Sequence, residues 1–125
     1  MPIRTIIRYP DPRLAIPAQP VAVFDGALRE LALDLRETMH AAPGIGITAP
    51  HIGISLRVVV LDLDANDGAR TYVNPEIIWA SPKTIMHREG SVSMPGVNDD
   101  VQRHARVRQA IQEIELRVLQ PIYFL

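Results

Sequence analysis

The chain contains no cysteine. That excludes disulfides and every thiolate metal site. It also has almost no excess charge: the formal net charge is −1, so no bulk attraction to nucleic acid or to an anionic membrane is expected. No stretch approaches the roughly 20 apolar residues of a membrane-spanning helix. Met1 to Tyr9 carries Arg4 and Arg8 but no apolar run of signal-peptide length. The expected setting is the cytoplasm, with neither nucleic acid nor membrane as a partner.

What remains is ordinary for a globular protein. Of 125 residues, 47% are hydrophobic and 22% charged, enough for one core and one domain spanning 1–125. Eleven prolines break the chain into short pieces. Residues 1–20 read as an extended lead-in, because each proline of Tyr9-Pro10-Asp11-Pro12 pushes its predecessor toward extended geometry.

From Asp25 the pattern changes. Leu28, Leu31, Ala32, Leu35 and Met39 recur at spacings of three and four, which predicts a helix over about 25–41 with one apolar face. Arg29, Glu30, Asp34, Arg36 and Glu37 fill the other face. Asp25 is placed to cap the N-terminus, and Pro43-Gly44 ends the helix. Gly44 to Gly53 reads as a loop. Arg57 to Leu63 is rich in β-branched residues and reads as a strand, followed by a turn at Asn66-Asp67-Gly68. Arg70 to Asn74, Glu76 to Ala80 and Lys83 to Arg88 read as further strands, then Glu89 to Asn98 as a loop. Arg103 to Ile122 alternates loosely and favours strand. Trp79, on an apolar strand, is expected in the core. One helix followed by several strands, without regular βαβ alternation, points to an α+β fold with a mostly antiparallel sheet.

Three segments together resemble peptide deformylases. They are Tyr9-Pro10-Asp11-Pro12-Arg13-Leu14, then Gly44-Ile45-Gly46-Ile47-Thr48-Ala49-Pro50-His51, then Glu89-Gly90-Ser91-Val92-Ser93-Met94-Pro95-Gly96. The second is similar to the family's G-x-G-x-A-A-x-Q loop and the third to its E-G-C-L-S-[IV]-P-G. Val73-Asn74-Pro75 lies between them as in the family. The resemblance covers about residues 3–108. It implies a fold of one long helix against short, mostly antiparallel strands. It also implies an activity: removal of the formyl group from N-terminal methionine, with Fe or Zn held by the motif cysteine and by two histidines of an H-E-x-x-H helix. Three protein ligands leave one position open for water. The metal lowers the pKa of that water to about 7, and the glutamate is the general base.

The departures concern that chemistry. Ser91 stands where the resemblance places the cysteine, and a neutral hydroxyl is a poor ligand beside a thiolate. The histidines are His40, His51, His87 and His104; no two are four apart, and none is followed by glutamate. Thr48 replaces an alanine, and His51 replaces the glutamine that donates to the developing oxyanion in the family. The other oxyanion donor there is the backbone N–H after the cysteine, here that of Val92, and a backbone donor survives any substitution except proline. Gly44, Gly46 and Val92 therefore match binding positions, and Gly46, His51, Ser91 and Val92 match positions of the catalytic site. No metal ligand set is expected. Beyond Arg108 the sequence is unlike the family: no glycine follows Gly96, so neither the D-x-x-G turn nor the H-E-x-x-H helix is expected. A shifted reading frame or an early stop would produce such an end.

Plainer readings stand beside these. A G-x-G can simply serve a turn after a helix. Glu89 and Arg103 match a carboxylate–guanidinium pair that braces the motif loop, a structural role. Ser91 as a nucleophile would need a base within hydrogen-bond reach, and His51 is the one sensible candidate; a lone loop histidine is more often a hydrogen-bonding residue. His87 and His104 read as surface residues. The expected function is a deformylase-like protein without metal or activity, with a weak site for a formyl-Met peptide or a methionine-like ligand. Two alternatives are an active deformylase with an unrecognised or partner-supplied metal site, and a structural or regulatory binding partner. Without the central helix, several hundred Å² of apolar surface would be exposed. The apolar tail from Ile111 to Leu125 would cover it, within one chain or across two by strand exchange, and a homodimer is the favoured expectation.

Overall fold

A computed structural model of the chain describes residues 3–63, 68–110 and 116–119. Its organising element is α1, Gly26–Ala41. Asp25 caps it, its carboxylate accepting from the Leu28 N–H at 3.0 Å. Leu31, Leu35 and Met39 are buried at successive turns, as the apolar spacing requires. The helix ends where the Gly44 N–H turns back to the Met39 carbonyl at 2.7 Å. Asp34, assigned from sequence to the polar face, is buried instead. The N-terminal segment covers it: Arg4 bonds the Asp34 carboxylate through Nε at 2.9 Å, and the Arg4 N–H donates to Thr38 Oγ1 at 2.8 Å.

Three antiparallel strands lie next to the helix: β1 (Gly46–Thr48), β2 (Val58–Leu61) and β3 (Arg70–Val73), in the order β1-β2-β3. Ile47, Val58 and Val60 interlock with Leu31, Leu35 and Met39, and Val21 and Ala49 complete this core. The lead-in is tied on by a parallel bridge between Gln19 and Leu56. The Asn74 side chain also holds it, accepting from the Val21 N–H at 2.7 Å and donating to its carbonyl at 3.0 Å.

The rest of the chain forms two smaller antiparallel sheets. One has the order β4-β7-β8, from β4 (Glu76–Ala80), β7 (Val107–Ala110) and β8 (Leu116–Leu119); the other pairs β5 (Thr84–Ser91) with β6 (Met94–His104). An α+β fold of one helix and antiparallel strands is therefore observed, α1 being the one α-helix among the described residues.

Four further expectations need correction. The lead-in is not wholly extended: Pro12–Ala15 form a 3-10 turn capped by the Asp11 side chain. The stretch Gly44 to Gly53 is not one loop, because β1 pairs with β2, and Ala49–Ile52 form a second 3-10 turn. The stretch Glu89 to Asn98 largely continues the β5–β6 hairpin, with Glu89 opposite Asp99 and Gly90 opposite Asn98. Main-chain pairing needs no apolar alternation, so these polar residues hid the ladder. Trp79 is not core but 43% exposed, because β4 is an edge strand away from the α1 core. His87 and His104 are exposed, as expected. At the turn expected at Asn66 to Gly68, Gly68 has φ +70, while residues 66–67 lie outside the described residues. So do residues 111–115 and 120–125, most of the proposed covering tail.

No helix among the described residues is long and apolar enough to cross a membrane.

Candidate functional site

The site forms where the two halves meet. From the helical half comes His51, at the third position of the 3-10 turn that follows β1. From the hairpin comes Ser91, the last residue of β5, followed by the two-residue turn Val92–Ser93. Gly44 lets them approach: a Cβ added there would lie 2.9 Å from Val92 Cγ1, closer than real carbon contacts allow, so a larger residue here would force Val92 to shift. Gly46 is buried in β1 opposite Leu61. Val92 lies outside the β5–β6 ladder, so its N–H is not spent on strand pairing.

The polar contacts are specific. The Thr48 N–H donates to His51 Nδ1 at 3.0 Å, and Thr48 Oγ1 lies 3.0 Å from the same nitrogen. His51 Nε2 faces Ser91 Oγ at 3.4 Å. Ser91 Oγ also accepts from the Ser93 N–H at 3.1 Å. The N-terminal segment closes the site from the other side: the Ile7 N–H donates to the His51 carbonyl at 2.8 Å and the Tyr9 N–H to the Ser93 carbonyl at 3.0 Å. His51 is buried, and desolvation pushes its pKa down to about 4, because a buried imidazolium loses its hydration. Ser93 is buried too, and its Oγ has no partner among the described residues.

Behind the motif, Arg103 holds Glu89 through two parallel bonds, Nε to Oε2 at 2.9 Å and Nη2 to Oε1 at 2.8 Å. The Glu89 carboxylate is fully enclosed, so its charge depends on this fork. The pair spans β5 and β6 two residues before Ser91 and braces the hairpin end.

A cavity of about 340 Å³ adjoins His51 and is lined by Tyr9, Asp11, Leu14, Thr48, Ser93 and Met94 among others. Asp11 is held in its ionised form, its pKa lowered to about 2 by hydrogen bonds from Arg13. Thr48 and Ser93 were not singled out as site residues from sequence. The signal for Thr48 was present: a threonine three residues before a polar side chain, with proline between, is an N-terminal capping pattern. Ser93 carried no such signal.

The iron or zinc implied by the resemblance needs three donors. Beside Ser91 Oγ stands one imidazole nitrogen, and among the described residues no three of His, Cys, Asp and Glu converge. Neutral oxygen and a single imidazole do not fit such an ion.

The comparisons with known proteins agree with this architecture. The family model described as Polypeptide deformylase matches residues 3–119. A Bradyrhizobium diazoefficiens protein named peptide deformylase-like is 75% identical over 92% of this chain and 68% of its own length, so the chain spans about two thirds of that relative. The crystal structure of peptide deformylase from Plasmodium falciparum matches with TM-score 0.88 at 29% identity, covering 94% of this chain and 73% of that one. A Met-Ala-Ser-bound class I type b peptide deformylase from Acinetobacter baumannii matches with TM-score 0.83 at 27% identity, covering 95% of this chain and 84% of that one. The helix on β1–β3, the two motif loops meeting at Gly44 and Val92, and a family match over nearly the whole chain lead to one conclusion: this protein belongs to the polypeptide deformylase family.

Proposed function

We propose that this chain keeps the deformylase fold as a binding module and does not deformylate. The observation that carries this reading is Ser91. At the position of the metal-binding thiolate stands a hydroxyl that is already engaged, accepting from the Ser93 N–H and facing His51. Without a metal-activated water the reaction loses both its nucleophile and its electrophilic catalyst. On this reading three positions would recognise a peptide terminus: Gly44, which lets the two motif segments approach, Gly46, which opens β1, and Val92, which offers a backbone donor beside Ser91. A neighbour in fold holds Met-Ala-Ser, which makes a formyl-methionine or methionine-like terminus the ligand class we propose here, bound weakly.

Two measurements test this. Elemental analysis of the dialysed protein is expected to find no stoichiometric transition metal; about one zinc or iron per chain would refute the reading. Turnover of formyl-Met peptides is expected to stay at the level of a metal-stripped control. Ser91→Cys alone is expected to leave it there, because a thiolate and one imidazole still fall short of three ligands.

A further inference from the structure

We propose that residues 3–9 form a strap that opens and closes over the seam of the candidate site. Arg4 on Asp34 is its latch and acts as a positioning residue for the seam. The inference does not depend on the metal-free reading and goes beyond it.

The strap touches both halves of the site. The Ile7 N–H donates to the His51 carbonyl at 2.8 Å, and two residues on the Tyr9 N–H donates to the Ser93 carbonyl at 3.0 Å. One short segment therefore stitches the 3-10 turn of His51 to the turn after Ser91. The direct polar contact across the seam, His51 Nε2 to Ser91 Oγ, is 3.4 Å, long for a hydrogen bond. The two strap bonds are the shorter ones. Tyr9 also lines the cavity beside His51, so the strap is one of its walls.

The strap is held lightly. Of residues 3–9 only Ile7 is buried. The far end is fastened at α1, where Arg4 Nε donates to Asp34 Oδ2 at 2.9 Å and Nη2 lies 2.8 Å from the same oxygen. The Arg4 N–H donates to Thr38 Oγ1 at 2.8 Å. Both guanidinium nitrogens use Oδ2, and Asp34 Oδ1 is buried without a partner among the described residues. The Arg103 fork on Glu89 engages both carboxylate oxygens; the Arg4 latch engages one. A buried carboxylate oxygen without a donor is costly, and lifting the strap returns it to water. Closure gains an ion pair and one buried isoleucine, while opening hydrates Asp34. Few buried contacts and opposed terms of this kind mark an element that opens on its own, below the cost of unfolding the α1 core.

Native-state hydrogen exchange of the full chain, followed amide by amide by NMR at pH 7, tests this. The Ile7 and Tyr9 amides are expected to exchange at least about tenfold faster than the Val60 amide in the central strand β2. Leu35→Ala weakens the core and is expected to speed Val60 while leaving Ile7 and Tyr9 within about twofold of the parent. One common rate for all three amides, or a common response to Leu35→Ala, shows that the strap opens only with the whole domain and overturns the proposal. Arg4→Ala cuts the latch and is expected to speed Ile7 and Tyr9 about tenfold, the worth of one charge-assisted hydrogen bond. Adding Asp34→Asn removes the buried charge and is expected to slow them again by about threefold. No effect of Arg4→Ala, or no recovery in the double variant, overturns the latch. The Ser93 amide, bonded to Ser91 Oγ, is expected to follow Ile7 and Tyr9 in each of these variants, because its turn loses the Tyr9 bond when the strap lifts. A Ser93 amide that keeps the parent's rate overturns the positioning role. If Arg4→Ala fails to fold, Thr38→Val, which removes the acceptor of the Arg4 N–H, takes its place. Severalfold faster exchange at Ile7, Tyr9 and Ser93 is then expected, and unchanged rates count against.

Discussion

The two halves of this molecule treat their apolar residues in opposite ways. Around α1, Leu35, Met39, Ile47, Val58 and Val60 are fully buried. In β4 and β5, Ile77 is 64% exposed and Met86 65%, though these residues are no less hydrophobic. The difference is one of layers. A strand buries its face only when a second layer packs on it, and α1 serves β1 and β2. The polar anchors differ as well. The helical half is fastened by the Asp25 cap, by Asn74 and by Arg4 on the buried Asp34 carboxylate. The hairpin half depends on one enclosed carboxylate and its arginine. The candidate site takes residues from both halves, Thr48 and His51 from one and Ser91 and Ser93 from the other, so its geometry depends on both.

The largest expected effect separates the halves. Leu35→Ala removes a fully buried side chain from the core and is expected to cost about 3–5 kcal/mol. The matching truncation Ile77→Ala, at an exposed position, is expected to cost less than about 1 kcal/mol. Urea unfolding measures both. Equal costs would erase the contrast.

The second test strikes the hairpin's own anchor. Arg103→Leu leaves Glu89 charged, enclosed and unpaired, which is expected to cost about 3 kcal/mol. Glu89→Gln in the same background is expected to recover part of that loss, since a neutral amide needs no counter-charge. A single variant as stable as the parent would show that the fork contributes nothing.

A pH titration then probes the seam. His51 has a pKa of about 4 in the folded chain against an ordinary 6.5. Between those values the unfolded chain binds the proton and the folded chain does not, so stability falls as pH falls. The contribution is complete above about pH 6.5 and is lost progressively toward pH 4, by about 3 kcal/mol at most. His51→Gln is expected to flatten this window. Asp11, lowered to about 2 by Arg13, has the carboxylate sign: what it contributes is lost only as pH falls below 3.8. The two windows do not overlap, so a loss that begins only below pH 4 would count against His51.

How much of this was legible beforehand follows the same division. The spacing Leu31, Leu35, Met39 revealed α1, and the β-branched run revealed β2, because burial on one face writes a period into the sequence. The motif loops were legible as a resemblance, and so was the Glu89–Arg103 pairing. Asp34 misled because the segment covering it is some thirty residues away in sequence, and periodicity reports nothing on partners so distant. Trp79 misled because hydrophobicity reports what a residue favours, not whether a layer is present to receive it. The capping pattern at Thr48 was legible, but its contact with His51 Nδ1 depends on the 3-10 turn Ala49–Ile52, which reads from sequence as loop.

The smallest expected effect on stability carries the largest consequence for assembly. β4 is the outer strand of its sheet, with no strand on its other edge among the described residues, and Ile77, Ile78 and Trp79 are all exposed along it. An unpaired edge that carries apolar side chains is a template for another strand. A second copy of the same edge supplies one antiparallel to it about a two-fold axis, the symmetry most homo-oligomers adopt. We propose a homodimer through this edge. Trp79→Lys puts a charge on the edge without touching the α1 core, and is expected to change monomer stability by no more than about 0.5 kcal/mol. It is expected to shift the mass by light scattering from twice 13.9 kDa to 13.9 kDa, because pairing would bring two added charges into a shared apolar edge. A parent that stays at 13.9 kDa at high concentration would sink the dimer. A dimer that survives Trp79→Lys unchanged would place its interface away from β4.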